Sequence, residues 1–214
     1  LMAGQGVMTD DGERYEGQFR QNQFHGQGRF ETKHQGVIEG TFAEDEPTQA
    51  TQKLDAGEYQ GEFRDWQWHG QGLWEDAGGG VYKGTFERGQ LTGTGEYIGP
   101  DGQHYKGEFR GFMFHGEGVL TRADGTRIEA TFKFGQPTGE VVLHRPDGNG
   151  GTETIKGRWS DGQFQPAGKP SPREKRAAVN ERILARDAER LKQQLDSLVP
   201  QQPGRADIYF LFVG

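Results

Sequence analysis

Cysteine is absent from the 214 residues, so a disulfide, a Cys-ligated zinc site and a Cys nucleophile are all excluded within them. Long apolar runs are missing too, and no stretch reaches the roughly 18 apolar residues of a membrane-spanning helix. Hydrophobic residues are only 31% of the chain and the mean hydropathy is −0.92, which leaves too few large aliphatic side chains for a thick globular core. With 36 glycines, an unpatterned chain of this kind would read as disordered. Here the glycines and aromatics fall at fixed spacing, which is the mark of a repeat.

The unit is clearest in YKGEFRGFMFHGEGVL, Tyr105–Leu120. Tyr105, Gly107 and Phe109 alternate with Lys106 and Glu108, the period-2 pattern of a strand with two different faces. After Arg110–Met113 the alternation resumes with Phe114, Gly116, Gly118 and Leu120. Two short alternating runs joined by a tight turn predict a β-hairpin. Copies begin at Tyr15, Ile38, Tyr59, Tyr82, Tyr105, Ile128 and Ile155, in steps of 23, 21, 23, 23, 23 and 27 residues. The order aromatic-x-Gly-x-aromatic, turn, Gly-x-Gly resembles the MORN repeat over about residues 1–168.

The predicted fold is mainly β: an elongated, twisted antiparallel sheet of stacked hairpins, on the order of 65–70 Å long at the usual strand spacing. Glycine leaves room for an aromatic ring to lie flat on the backbone of a neighbouring strand, a part that Tyr15, Phe19 and Phe30 can fill. Asp-Gly in the TDDGER, IGPDGQ and TRADGT segments marks turns between units, because Gly accepts positive φ. Leu1–Met8 matches the tail of a repeat, so the sequence is expected to begin inside an earlier unit.

Three departures stand out. In the second unit Pro47 and Thr48 replace Phe24 and His25, both Gly positions are lost (Gln49, Thr51), and the second strand is expected to be weakened or bulged. The sixth unit keeps one Gly of its pair and places Pro137 at the start of its second strand. The last unit has lost its second-strand pattern and is expected to cap the array.

The hairpin-turn position held by Asn22, Gly89, Gly135 and Gly162 is Trp66 in the third unit and Phe112 in the fifth. Asn and Gly suit the left-handed conformation there and an aromatic does not. Two readings stay open: these turns take another geometry and the rings fold back on the sheet, or Trp66, Trp68, Phe112 and Phe114 form an exposed partner-binding edge.

His25, His69 and His115 share one repeat position, but neighbours in this set stand two units apart, roughly 20 Å by strand spacing. They cannot share a metal, whose ligands lie about 2 Å from it. The Gly-x-Gly pairs precede strand residues and open no helix, so they are not a dinucleotide fingerprint. Neither a cofactor nor a catalytic residue is expected within the chain. Residues 166–214 carry nine Lys/Arg against six Asp/Glu, which leaves residues 1–165 at −10 within a total of −7. That charge disfavours anionic membrane lipid and nucleic acid as general partners, and points to protein contact.

Beyond the array (1–168), residues 169–173 read as a Pro-rich linker. Residues 174–199 have helical spacing, with Ala177, Leu184, Leu191 and Leu198 seven apart and a charged opposite face. Residues 203–214, PGRADIYFLFVG, read as the buried first strand of an α/β domain cut off by the end of the sequence. The segment QQLDSLVPQQPGRADIYFLFVG resembles the opening of the bacterial legumain-like (clan CD) cysteine peptidase domain. That resemblance implies a parent protein in which the array is the targeting arm of a peptidase whose catalytic His and Cys come later. The expected function of the chain is a protein-interaction and scaffolding module that positions an attached domain. A phospholipid-binding array is the further alternative, and the compartment, bacterial envelope or cytoplasm, stays open.

Overall fold

The computed structural model describes residues 2–168 and 172–198. The chain divides into two units, Leu1–Ala167 and Gly168–Gly214. The first is a single antiparallel sheet in which fifteen strands pair strictly in chain order. After β1 (Gly4–Asp10), seven hairpins follow. They are β2 (Glu13–Arg20) with β3 (Gln23–Thr32), β4 (Gly36–Ala43) with β5 (Glu46–Leu54), and β6 (Gly57–Arg64) with β7 (Gln67–Asp76). Next come β8 (Val81–Glu87) with β9 (Gln90–Ile98) and β10 (His104–Arg110) with β11 (Met113–Thr121). The last two are β12 (Arg127–Lys133) with β13 (Gln136–Pro146) and β14 (Thr152–Ser160) with β15 (Gln163–Pro166).

The fifth hairpin shows why both glycines of its Gly-x-Gly pair are needed. Its register slips after Gly107↔Gly118, so that Glu108 pairs with His115 and two residues bulge out of β11. Gly116 takes φ +56° in that bulge, a conformation that costs an L side chain about 1–2 kcal/mol. Gly118 serves a different purpose: the ring of Tyr105 lies flat over it and over Gly107. The Tyr105 hydroxyl ends 3.0 Å from Glu108 O and 3.1 Å from His115 O, donating into the two carbonyls of the bulge. Tyr15 and Tyr59 make the same pair of contacts in hairpins one and three. A buried tyrosine thus satisfies acceptors that the irregular ladder leaves open.

The aromatic side of the sheet is the core. Tyr15, Tyr59 and Tyr105 are fully buried, and each carries a second ring stacked on it: Phe24 at 3.9 Å, Trp68 at 4.5 Å and Phe114 at 3.9 Å. Of the other two rings expected over glycine, Phe19 covers Gly6, whereas Phe30 packs on Phe24 and Trp66.

One expectation holds in part and another is corrected. The second hairpin is bulged beside Pro47, as expected, but β5 is not cut short there and runs 9 residues; β13, with Pro137 near its start, runs 11. Every hairpin from the first to the sixth has a register slip near this point, so the slip is not peculiar to proline. At the equivalent position in the first hairpin, the N–H of Phe24 points away from its hairpin partner, to Asp45 Oδ1 at 2.7 Å. Proline there forfeits no ladder bond. The bulge of the second hairpin is also one residue shorter, so Ile38 pairs with Gln52 where Tyr15 pairs with Phe30. Ala50, and not Thr51, is therefore the partner of Gly40.

The second unit contains α1 (Pro172–Leu198), which starts two residues before the expected helix, with proline in its first position. Val179, Ile183, Leu184 and Leu191 are exposed on it. Residues 169–171 of the expected linker and the expected strand 203–214 lie outside the described residues.

Candidate functional site

Hairpins alternate in type along the array. The first residue to enter the core from the second strand is Phe24, Trp68, Phe114 and Phe164 in hairpins one, three, five and seven, and Pro47, Leu91 and Pro137 in two, four and six. A proline or leucine leaves the outer ring layer incomplete. In two of the three cases the turn of the following hairpin completes it.

Trp66 belongs to the third hairpin but packs on Phe30 at 4.8 Å and Phe42 at 6.3 Å, over the second. Phe112 belongs to the fifth but packs on Tyr82 at 5.3 Å and Phe86 at 6.2 Å, over the fourth. The turn geometry follows in two ways. Asp65–Trp66 keeps two positive φ values, 49° and 58°, the two-residue type I′ pattern. Trp66 therefore accepts the left-handed conformation, and burial of the ring, worth about 2–3 kcal/mol, outweighs its cost of about 1–2 kcal/mol. In the fifth hairpin the positive φ, 63°, moves to Gly111 and Phe112 is relieved of it, as a type II′ turn requires.

Turns of the even-numbered hairpins make a backbone link instead, as does that of the first, where Asn22 donates N–H to Met2 O at 3.1 Å. Asp45, Gly89 and Gly135 donate N–H to the carbonyls of Phe24, Trp68 and Phe114 at 3.3, 3.0 and 3.0 Å. The N–H of the Trp68 indole is satisfied by Gln52 Oε1 at 2.6 Å.

The four residues singled out by sequence thus all lie in the outer ring layer on one face of the sheet. Trp66, Trp68 and Phe114 are half-buried, and Phe112 is 37% exposed. Sequence reasoning missed Tyr82 and Tyr97. In the fourth hairpin a Leu91 methyl occupies the space over Gly84, and Phe109 of the next hairpin covers Gly95. Tyr82 is therefore displaced outward and meets Tyr97 at 4.6 Å with the rings tilted by 39°, while Tyr97 meets Phe114 at 5.7 Å. Leucine in an aromatic slot was the available signal. Burial, and then the charges of Asp76 and Asp101, hold the Tyr97 hydroxyl above its ordinary pKa; Tyr82 is raised by burial, Tyr97 and Asp76.

The opposite face is polar and mixed in sign. Glu16, Arg29 and Glu39 are successive cross-strand neighbours, as are Lys83, Glu96 and Lys106. Glu96 lies 2.5 Å from His104 Nε2 and 3.2 Å from Lys106 Nζ, and the hydrogen bond from His104 holds its carboxyl below the usual range.

The family model for the MORN repeat matches the chain at residues 15–32, 82–104 and 105–127. These are the first, fourth and fifth hairpins. No curated protein matches the chain.

Proposed function

We propose that this chain, which carries MORN repeats at three segments, is a protein-interaction and scaffolding module whose contact surface is the outer ring layer containing Trp66, Trp68, Phe112 and Phe114. MORN repeats are interaction elements for protein or lipid. The observation that carries the protein reading is the contiguous, half-exposed run of rings from Tyr82 and Phe112 through Tyr97 to Phe114. Large rigid rings at the edge of water are the side chains that anchor protein partners. The sign-alternating opposite face offers no clustered positive charge of the kind anionic lipid requires.

The test compares proteins captured by the full chain with those captured by its Phe112→Ser and Trp68→Ser variants, with sedimentation on phosphatidylserine vesicles in parallel. Partners retained by the unaltered chain and lost from both variants support the reading. Salt-sensitive vesicle binding together with identical capture would overturn it. A second reading rests on the segment Gln193–Gly214, whose resemblance to legumain-like peptidases supports an array that targets an attached peptidase domain. Reading the gene past Gly214 tests it, with a His-Gly and a later Ala-Cys at strand ends as the expected finding.

A further inference from the structure

The fourth hairpin departs from its neighbours in a way that builds a site. With Leu91 seated over Gly84, the Tyr82 ring leaves the inner layer and joins Tyr97 and Phe112 in a half-exposed ledge. Two inter-hairpin loops bring carboxylates to it. A methyl group built on Gly99 would lie 2.6 Å from Asp101 Oδ1 and 3.0 Å from the Tyr97 hydroxyl. One built on Gly80 would lie 2.6 Å from Asp76 Oδ2 and 3.2 Å from Tyr97 Cε2. Tyr97 thus stands between two acids.

Backbone amides use one oxygen of each: Asp76 Oδ1 accepts from Gly78 and Gly80 at 2.8 and 3.0 Å, and Asp101 Oδ1 from Gln103 at 2.9 Å. Among the described residues neither carboxylate forms an ion pair. Aromatic faces attract cations through their quadrupole, and flanking carboxylates add direct attraction.

We propose that the Tyr82–Tyr97–Phe112 ledge, between Asp76 and Asp101, docks a basic segment of a partner protein, with an arginine or lysine side chain on the ring of Tyr97. The inference rests on the protein-interaction reading and names its partner class. Charge complementarity selects the occupant: residues 1–165 are at −10, and an anionic membrane surface would meet Asp76 and Asp101 with like charge.

The test titrates the full chain with acetyl-Gly-Arg-Gly-Arg-Gly-amide and with its Glu counterpart, following the tyrosine ring resonances. Saturable shifts of Tyr82 and Tyr97 with the arginine peptide alone are expected. Affinity should fall about fivefold or more in Asp76→Asn/Asp101→Asn, which keeps an oxygen acceptor for each loop amide, and also as salt rises. Tyr97→Phe should bind and Tyr97→Leu should not, while Asp161→Asn, in the last hairpin turn, should bind like the unaltered chain. Equal response to the Glu peptide, no saturable shift, or undiminished binding by the double Asn variant would overturn the proposal. Shifts of the same rings by phosphatidylserine vesicles would also overturn it, in favour of lipid. If the peptide fails while Phe112-dependent protein capture persists, only this inference falls; loss of both removes the broader reading as well.

Discussion

The ring of Tyr105 lies so close over Gly118 that a methyl group there would meet its Cζ and Cε2 at 2.5 and 2.6 Å. Where the opening residue is isoleucine the constraint disappears: Ala50 occupies the matching position opposite Gly40 in the hairpin of Ile38, and Val141 opposite Ala130 in that of Ile128. Gly118→Ala should therefore cost about 2–3 kcal/mol, the range of overpacking. In a Tyr105→Ile background the same substitution should cost less than half as much, a coupling that urea denaturation of the four-member cycle measures.

Alkaline pH should loosen the array. Burial pushes the Tyr105 phenol up to about 12, against an ordinary value of 10.0, and Tyr15 and Tyr59 are raised for the same first cause. The folded state holds these protons more tightly than the unfolded chain. Their stabilisation is therefore fully present below pH about 10 and is lost as pH rises through about 12. Tyr105→Phe should lower stability at pH 7 by about 1 kcal/mol through the lost hydrogen bond and should flatten the decline between pH 9 and pH 12. Denaturation midpoints along that range check both.

Trp66→Gly sets two effects against each other. Relief of the left-handed backbone returns about 1–2 kcal/mol, while removal of the ring from Phe30 and Phe42 loses about 2–3 kcal/mol. A net loss of about 1 kcal/mol is expected, read from thermal unfolding.

Pro47→Ala should leave the ladder intact and cost about 1–2 kcal/mol through the ring carbons lost from a fully buried side chain. The position contributes no N–H to its own hairpin, so the change restores nothing and breaks nothing in the ladder. Greater freedom of the unfolded chain should lower stability by about 0.4–1 kcal/mol more. A loss above about 3 kcal/mol, or altered amide exchange along β5, would contradict this account.

The hairpins, their two-residue turns and the glycine-under-ring principle were legible because each depends on residues close in sequence, such as Tyr105, Gly107 and Gly118. The second hairpin was misread by one position because a shorter bulge changes spacing without changing residue types, which moved Ala50 out of sight. Trp66 and Phe112 were visible as anomalies in their own turns. Their targets were not, since the gaps beside Pro47 and Leu91 belong to the preceding hairpin and are defined only once the sheet is assembled. Tyr82 looked like an ordinary copy of Tyr105, and only the volume of Leu91 above Gly84 separates them.

The alternation of complete and incomplete ring layers sets how the array can change length. Excising residues 82–127, hairpins four and five, would leave the third hairpin with its own Trp68 and pass to the sixth, whose turn carries the N–H of Gly135 to meet it. Excising the third hairpin alone would deliver Arg88–Gly89 to the bare site beside Pro47, with no ring to cover it. Loss of that pair therefore preserves the contacts of the hairpins that remain, whereas loss of the third hairpin alone opens beside Pro47 the kind of uncovered site that the sixth hairpin already has beside Pro137.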